Sequence, residues 1–354
     1  MSVKFTKSFL STLFPLVIPI IGIYGTITLY RQHKANKKIK TNLQHVNQYQ
    51  QQGYIITNST QIMNKYNTLP LNQPIDYRGK EIVRPYMEQF ERALGNDIRI
   101  ARNNFSTLRI EKSKEISKTG AAGIYNGTEN VIKYVKNNAN IMGHEMLHMA
   151  SYMYDSTLDT HYHGFMQQKG DAIIGRGLNE GYTELMNSRL FTNGKITAYK
   201  RLVRIVKLIE EFFPNPQMMS HYYFTCDLPA VLQNLRRYCT QEETNEILLG
   251  LDRLYEYEYV PGSPLAITLE TQLASKLYNI YQRNFIAEPA KVQAFKQKAG
   301  ENKLTAMVIA GKQMRATRTN PFTRIKNGIQ NGFRKIKNFF TGTPTPNPQP
   351  AYAR

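Results

Sequence analysis

The feature that most constrains this chain is a pair of short motifs, each placing two side chains able to bind a metal one helical turn apart. The first motif has His144 and His148 at positions i and i+4, with Glu145 between them. The second begins 32 residues after His148 and contains Glu180 and Glu184 at the same spacing. Residues four apart lie on one face of a helix, so each motif predicts a helix.

The first motif predicts a zinc site with one ion per chain. Both imidazoles can reach one ion from the same helix face, and Glu145 stands beside it as a general base for a water molecule. A catalytic zinc needs a third protein ligand and an open fourth position, and Glu180 is predicted as that ligand. Glu184, one turn later, is placed to accept the free ring N–H of a ligating histidine.

Together the two motifs resemble those of the gluzincins, the thermolysin-like clan of zinc peptidases. The resemblance covers about residues 105 to 190 and implies a zincin-like core in which Glu180 is the third ligand, with Asn179 and Glu184 supporting it. It also implies that the extended segment from Glu129 to Val135 is an edge strand that pairs with the substrate backbone. The strand positions are Asn130, Val131, Ile132 and Lys133.

Two further expectations concern residues outside the motifs. Thermolysin-like sites use a downstream histidine or tyrosine to stabilise the oxyanion, and by order along the chain the candidates here are His221, Tyr222 and Tyr223. His161, in the linker between the motifs, is a rival third ligand, with His163 two residues later on the same face of an extended segment.

The pattern of apolar residues predicts an α+β fold. Short strands around Ile110 and Val131, separated by glycine turns, form a small mixed sheet that leads into the helix of the first motif. After the second motif, apolar residues three and four apart predict a mostly helical carboxy-terminal subdomain, which can also serve as a partner-binding module. The chain is predicted to divide into seven segments. These are a basic amino terminus (1–8), a transmembrane helix (9–30), a basic and polar linker (31–60), a zincin-like catalytic subdomain (61–195), a helical subdomain (196–320), a basic amphipathic helix (321–340) and a proline-rich tail (341–354).

The net charge of +20 is concentrated at the two ends of the chain. Residues 1–40 contain seven Lys or Arg and no acid, and residues 289–354 contain thirteen Lys or Arg and one acid. An enzyme acting on nucleic acid places its basic surface on the folded body, around the site. The distribution therefore argues against a nucleic-acid partner and favours a membrane surface.

The segment from Phe9 to Tyr30 contains no charged side chain and is long enough to cross a bilayer. It predicts a transmembrane helix and a single-pass membrane protein; a signal peptide and a buried helix are the alternatives. Lys and Arg are more numerous after this segment than before it, which predicts a cytoplasmic body, with an extracytoplasmic body as the alternative.

The carboxy-terminal segment 321–340 has apolar residues three and four apart with basic residues between them. This pattern predicts a basic amphipathic helix that either docks on an anionic leaflet or packs on the body. The last residues, 341–354, carry four prolines and are expected to be a disordered tail.

These observations predict a membrane-anchored zinc metallopeptidase acting on peptide or protein substrates. The alternative is a non-catalytic zinc-binding zincin-fold module that acts as a membrane-tethered sensor or interaction protein. A third hypothesis is a structural membrane protein in which the motifs are accidental. A pure zinc-binding module needs no base beside its ligands, so Glu145 favours the enzyme.

Overall fold

The two motif-bearing helices lie at the centre of an α+β fold, which we describe from a computed structural model. The structure describes residues 27–47, 58–70, 74–119, 121–258, 260 and 263–300. The described residues up to Ala299 belong to one compact unit. The predicted α+β class, with a small mixed sheet and a helical carboxy-terminal region, is confirmed.

The helices before the first motif carry no site residue of either motif. We call the helical residues 27–47 α1. The next are α2 (Ser59–Asn67), α3 (Arg84–Leu94) and α4 (Arg99–Thr107), with 3-10 turns at Glu81–Val83, Gly95–Ile98 and Glu115–Thr119. Helix α3 buries Met87, Phe90 and Leu94 at spacings of three and four, as an amphipathic helix on a core does.

The predicted mixed sheet has three strands, β1 (Arg109–Lys112), β2 (Gly123–Asn126) and β3 (Val131–Tyr134). Strand β3 lies in the middle, parallel to β1 and antiparallel to β2. The segment predicted to be the edge strand is therefore the central one, and that prediction is wrong. Among the described strands of this sheet, β2 is the edge next to the first motif.

A second sheet occupies the linker between the motifs, where the sequence predicted none. It is an antiparallel meander of β4 (Tyr152–Asp155), β5 (Thr160–His163), β6 (Met166–Lys169) and β7 (Ala172–Ile174). Its turns use residues at positive φ, including Asp159, Gly164 and Gly170. These positions suit tight connections, because glycine and aspartate reach the left-handed region at low cost.

The two motif helices are α5 (Ala139–Ala150) and α6 (Arg176–Leu190), and the carboxy-terminal helices pack around them. The helical region predicted after the second motif contains α7 (Lys200–Glu210), α8 (Pro216–Phe224), α9 (Leu228–Leu235), α10 (Gln241–Glu258), α11 (Pro264–Asn284) and α12 (Pro289–Gly300). One hydrophobic core runs through both predicted subdomains, and their boundary at residue 195 stays a prediction.

The predicted transmembrane anchor at residues 9–30 is contradicted in the part of the chain that the structure describes. In the parts of the chain that the structure describes, no helix combines the length and the apolar character needed to cross a bilayer. Residues 27–30 of the proposed span instead belong to α1, which continues through Arg31, Lys34 and Lys38 and packs Ala35 against the body. The predictions of a membrane partner and of a single-pass membrane location depended on this anchor, and the same finding contradicts them.

Several predicted segments lie outside the described residues. These are the basic start 1–8, residues 9–26 of the proposed span, the amphipathic segment 321–340 and the tail 341–354.

Candidate metal centre

Helices α5 and α6 approach closely because a glycine lies at their contact. A Cβ at Gly143 would lie 2.5 Å from Asn187 Oδ1, so a larger residue would push α6 away. Asn187 also donates from Nδ2 to the Asn140 carbonyl (2.9 Å), which ties the two helices together. Gly143 comes directly before His144, so the close approach occurs where the first ligand projects.

Helix α6 is held at its amino terminus by α10. Gly175 adopts a left-handed conformation (φ 79°), and its backbone N–H and that of Gly177 donate to the Asp252 carboxylate (2.9 and 2.8 Å). A Cβ at Gly177 would overlap the Leu251 carbonyl oxygen. The acceptor that caps α6 thus comes from another helix, and the capped end fixes where Glu180 projects.

Three candidate ligand atoms converge between the helices: Nε2 of His144, Nε2 of His148 and Oε2 of Glu180. The two nitrogens are 3.1 Å apart, and the carboxylate oxygen is 3.3 Å from His144 and 3.5 Å from His148. A group of this kind is able to hold a metal ion, as predicted for these three residues. Two ligands at 2.0–2.2 Å from a tetrahedral ion are about 3.3–3.6 Å apart. The two distances to Glu180 fall in this range and the distance between the nitrogens is slightly shorter, so the spacing suits one ion bound by all three.

The partner of the other ring nitrogen sets the tautomer of His144. Its Nδ1 lies 3.2 Å from Glu184 Oε2, so Nδ1–H donates there and leaves the Nε2 lone pair for an ion. The second oxygen, Glu184 Oε1, accepts from the backbone N–H of Thr197 (2.7 Å) and of Ala198 (3.1 Å). Glu184 is therefore fixed on both sides, in the supporting position predicted for it.

The electrostatics of this cluster favour a cation. Burial opposes charge on His144, but its hydrogen bonds to Glu180 and Glu184 outweigh that effect and raise its pKa to about 10. Burial likewise opposes charge on Glu180, yet the neighbouring His148 and the hydrogen bonds from both histidines hold its pKa well below the usual range. Without a metal, the two carboxylates keep His144 protonated. A divalent ion can replace this proton.

Glu145 lies beside the three candidate ligands and is buried. Its Oε2 accepts a hydrogen bond from the backbone N–H of Tyr125 in β2 (2.7 Å). Burial raises the pKa of Glu145, against the charges of the adjacent histidines and the Tyr125 hydrogen bond, which lower it. A carboxylate with a raised pKa, held by one fixed donor, has the properties of a general base.

The cluster opens into a cavity of about 790 Å³. Glu145 and the three candidate ligands line it, together with Gly123, Ile124 and Tyr125 of β2. Asn179 also lines it: its Oδ1 accepts from the Phe165 N–H (3.2 Å), and its buried Nδ2 has no hydrogen-bond partner among the described residues. Residues of α1 also line the cavity.

The other predicted site residues lie away from the cavity. His221 pairs with Asp97 (2.8 Å), and Tyr223 is fully buried with its hydroxyl bonded to that of Thr183 (2.7 Å). Tyr222 does not line the cavity either. His161 bonds the Tyr152 hydroxyl (2.9 Å) and is not part of the ligand group. The order of the residues along the chain suggested a role for them in the site, but in the structure their side chains contact other residues.

Two residues with no assigned role do reach the site. His163 lines the cavity from β5; burial and the charge of His148 lower its pKa to about 3, so its imidazole is neutral. Tyr199 stacks on His144 with ring centroids 5.6 Å apart and holds a left-handed conformation (φ 48°). The His161–His163 pair was a usable signal, since alternate strand residues share a face, but nothing in the sequence marks Tyr199.

Comparison with models of known protein families, with characterised proteins and with solved structures yields no match. The gluzincin assignment therefore stays a prediction that depends on the motifs and the site.

Proposed function

We propose that this chain is a zinc-dependent peptidase with a zincin-like core of the gluzincin type, in which Glu145 is the general base. One observation carries the proposal: three ligand atoms at spacings that suit a tetrahedral ion lie in a cavity with a buried carboxylate beside them. A site used only to bind metal has no need of that carboxylate.

The donor set favours zinc among the divalent ions. Two imidazoles and one carboxylate, with a fourth position open to the cavity, are a recurrent ligand set of catalytic zinc. Ions that prefer oxygen ligands, such as magnesium and calcium, seldom take two imidazoles. A zinc ion held there would supply Lewis acidity, which polarises a substrate carbonyl and makes water acidic near neutral pH.

Glu145 provides the proton transfers in this proposal. It accepts a proton from the attacking water and then delivers it to the amine nitrogen of the leaving peptide. The Tyr125 N–H keeps one carboxylate oxygen occupied, so the proton is carried by the other, Oε1.

The substrate backbone is expected to lie along β2. The Tyr125 N–H donates to Glu145 rather than to β3, so this residue's backbone faces the cavity side of the strand. The carbonyl of Tyr125 lies on the same side and can accept a hydrogen bond from a substrate N–H, so that the substrate pairs with β2 as a further strand. Strand β2 takes over the role that the resemblance gave to Asn130–Lys133, because it lies at the sheet edge.

His163 takes the place of the downstream oxyanion candidates. Its neutral imidazole retains one N–H and lines the cavity beside the candidate ligands, so it can donate to an oxygen that becomes negative in the transition state. His221 is held by Asp97 and does not line the cavity.

The base is tested by replacing Glu145 with glutamine in the full chain and measuring cleavage of quenched fluorescent peptides. The expected result is unchanged zinc content and a cleavage rate lower by about 10²–10⁴-fold, the range typical of a general base. Glu242→Gln, an exposed glutamate of α10, is the matched control and should keep full activity. Equal cleavage by the Glu145→Gln and control variants would remove the base assignment.

The oxyanion donor is tested in the same assay with His163→Phe, which keeps a ring in the cavity and removes the N–H. We expect kcat to fall by about 10²–10³-fold with zinc retained. The control is His221→Phe, expected to keep kcat within about twofold because that ring does not line the cavity. If the two variants lost activity equally, His163 would have no special role.

The non-catalytic zinc-binding alternative is favoured by one observation, the presence of α1 residues in the wall of the cavity. It predicts zinc in the wild-type chain and no cleavage of any peptide under conditions that expose the site.

A further inference from the structure

Helix α1 lies over the candidate metal centre. Four of its residues, Arg31, Lys34, Ala35 and Lys38, line the same cavity as Glu145 and the candidate ligands. Their spacings of three, one and three place them on one face of the helix. A peptide aligned on β2 would have to share this cavity with α1.

The helix is attached to the body mainly by polar contacts. The Asn42 side chain forms two hydrogen bonds to the backbone of Ile173 in the edge strand β7: Asn42 Nδ2 donates to the carbonyl (2.7 Å), and the Ile173 N–H donates to Oδ1 (2.9 Å). Lys38 pairs with Glu256 of α10 (3.5 Å), and Asn36 accepts a hydrogen bond from the Tyr257 hydroxyl.

Apolar attachment of α1 is small. Of its 21 described residues only Ala35 and Val46 are buried, and Ile39 is partly buried against the core. A second cavity, of about 770 Å³, runs along the helix and is lined by His33, Lys37 and Thr41. A helix with so little buried apolar area and cavities beside it opens at a low free-energy cost.

The charges on the two sides are complementary. The face of α1 that lines the cavity carries three cations. The rest of the cavity wall carries three glutamates, Glu145, Glu180 and Glu256, and one cation, Arg176, which lies 3.7 Å from Glu256. Lys38 pairs with Glu256. Electrostatic attraction therefore holds α1 against the cavity in addition to the two hydrogen bonds of Asn42. Such pairs are partly exposed to water, and each stabilises the closed position only slightly.

We propose that α1 is an autoinhibitory cover that lies over the metal centre and must move away before a peptide reaches β2. The proposal rests on the proposed peptidase function for its consequence, namely control of cleavage. Its physical content, control of access to the metal, does not depend on peptide hydrolysis.

The test uses full-length protein loaded with zinc and measures how fast a chromogenic chelator removes the metal. Asn42→Ala deletes both hydrogen bonds to Ile173, and we expect metal removal to become about tenfold faster, since each bond contributes modestly to closure. Gln44→Ala removes an exposed amide from the same helix and is the matched control, expected to leave the rate unchanged.

A second variant is needed in case the two Asn42 hydrogen bonds contribute too little to keep α1 in place. Ala35→Glu places a charge at a buried α1 position, 4% exposed, and displaces the helix without altering any residue of the body. Both variants are expected to accelerate metal removal and to raise kcat/KM for a peptide substrate. Unchanged chelator rates in both would identify α1 as a permanent wall of the site and overturn the proposal.

The peptide assay separates this inference from the proposed function. Faster metal removal in both variants, with no cleavage by any form of the protein, would support the cover and reject the peptidase. Faster metal removal accompanied by lower kcat/KM would show that α1 helps to bind substrate, and would overturn its autoinhibitory role.

Discussion

The helix pair that holds the candidate metal centre and the helix that covers it are attached to the protein in opposite ways. In α6, eleven of fifteen residues are buried, and glycines let it touch both α5 and α10. In α1, two of 21 described residues are buried, and side-chain hydrogen bonds supply much of the attachment. Ligands need fixed positions, which dense packing provides, whereas a cover needs to leave at low cost.

The largest expected effect concerns the close packing of α6 against α10. In Gly177→Ala, the added Cβ overlaps the Leu251 carbonyl oxygen, a backbone atom that cannot rotate away. We expect a loss of about 3 kcal/mol in the free energy of unfolding, measured by chemical denaturation. Gly194→Ala has open space around it but a positive φ and should cost about 1 kcal/mol. Equal losses would show that α6 and α10 are not closely packed.

A smaller effect is expected where the packing supports a ligand. Glu184→Gln replaces a carboxylate that accepts on both oxygens with a neutral amide that has one acceptor oxygen. The His144 imidazole then loses the negative charge that raises its basicity, and the side chain at this position can no longer accept from both His144 and Thr197. The affinity for zinc should fall by about 10–100-fold, measured by competition with a chelator. Glu210→Gln, a buried glutamate that pairs with Arg189 away from the site, serves as the control and should leave zinc affinity unchanged.

The pH dependence of zinc affinity tests the charge of the same cluster. The pKa of His144 without metal is raised to about 10, so at pH 7 to 9 a proton occupies His144 and the metal must displace it. Affinity should therefore rise by about tenfold per pH unit over this range and fall as the solution becomes more acidic. The measurement is chelator competition at several pH values, corrected for protonation of the chelator. An affinity independent of pH would mean that no proton is displaced.

The smallest effect is expected on the loosely attached side. Because α1 opens without unfolding the body, Asn42→Ala should change the melting temperature of the protein by less than about 1 °C. In the same variant, amide hydrogens of α1 should exchange faster than those of α5 and α6. A large drop in melting temperature would show that α1 is an integral part of the fold.

The sequence predicted those parts of the site that follow from the helical repeat. The candidate ligands His144, His148 and Glu180 and the neighbouring Glu184 lie in two motifs with a spacing of four residues. The helix face of each residue therefore follows from the sequence, and the structure brings all four together. The candidate base Glu145 came from the same motif and lies beside them. That these residues bind zinc and hydrolyse peptides stays a prediction.

Strand order and long-range packing could not be read in the same way. Residues Val131–Tyr134 pattern as a strand, but only the parallel pairing with Arg109–Lys112 makes them central and leaves β2 at the edge. His163 reaches the cavity because a meander folds the linker back. The spacing of His161 and His163 indicated a shared strand face, but no local pattern gave the strand order that brings His163 to the cavity. The apolar character of residues 27–30 predicts the end of a membrane span, but in the structure these residues continue into a charged helix on the body.

The central claim is that His144, His148 and Glu180 hold one zinc ion, and the zinc-to-protein ratio of the full-length chain tests it most directly. The ratio is measured by mass spectrometry after loading and removal of excess metal, for wild type and for Glu180→Ala. The account predicts one zinc per chain in the wild type and almost none in the variant, with zinc retained in Glu242→Ala. Zinc bound equally by the wild type and Glu180→Ala, or absent from the loaded wild type, would contradict it.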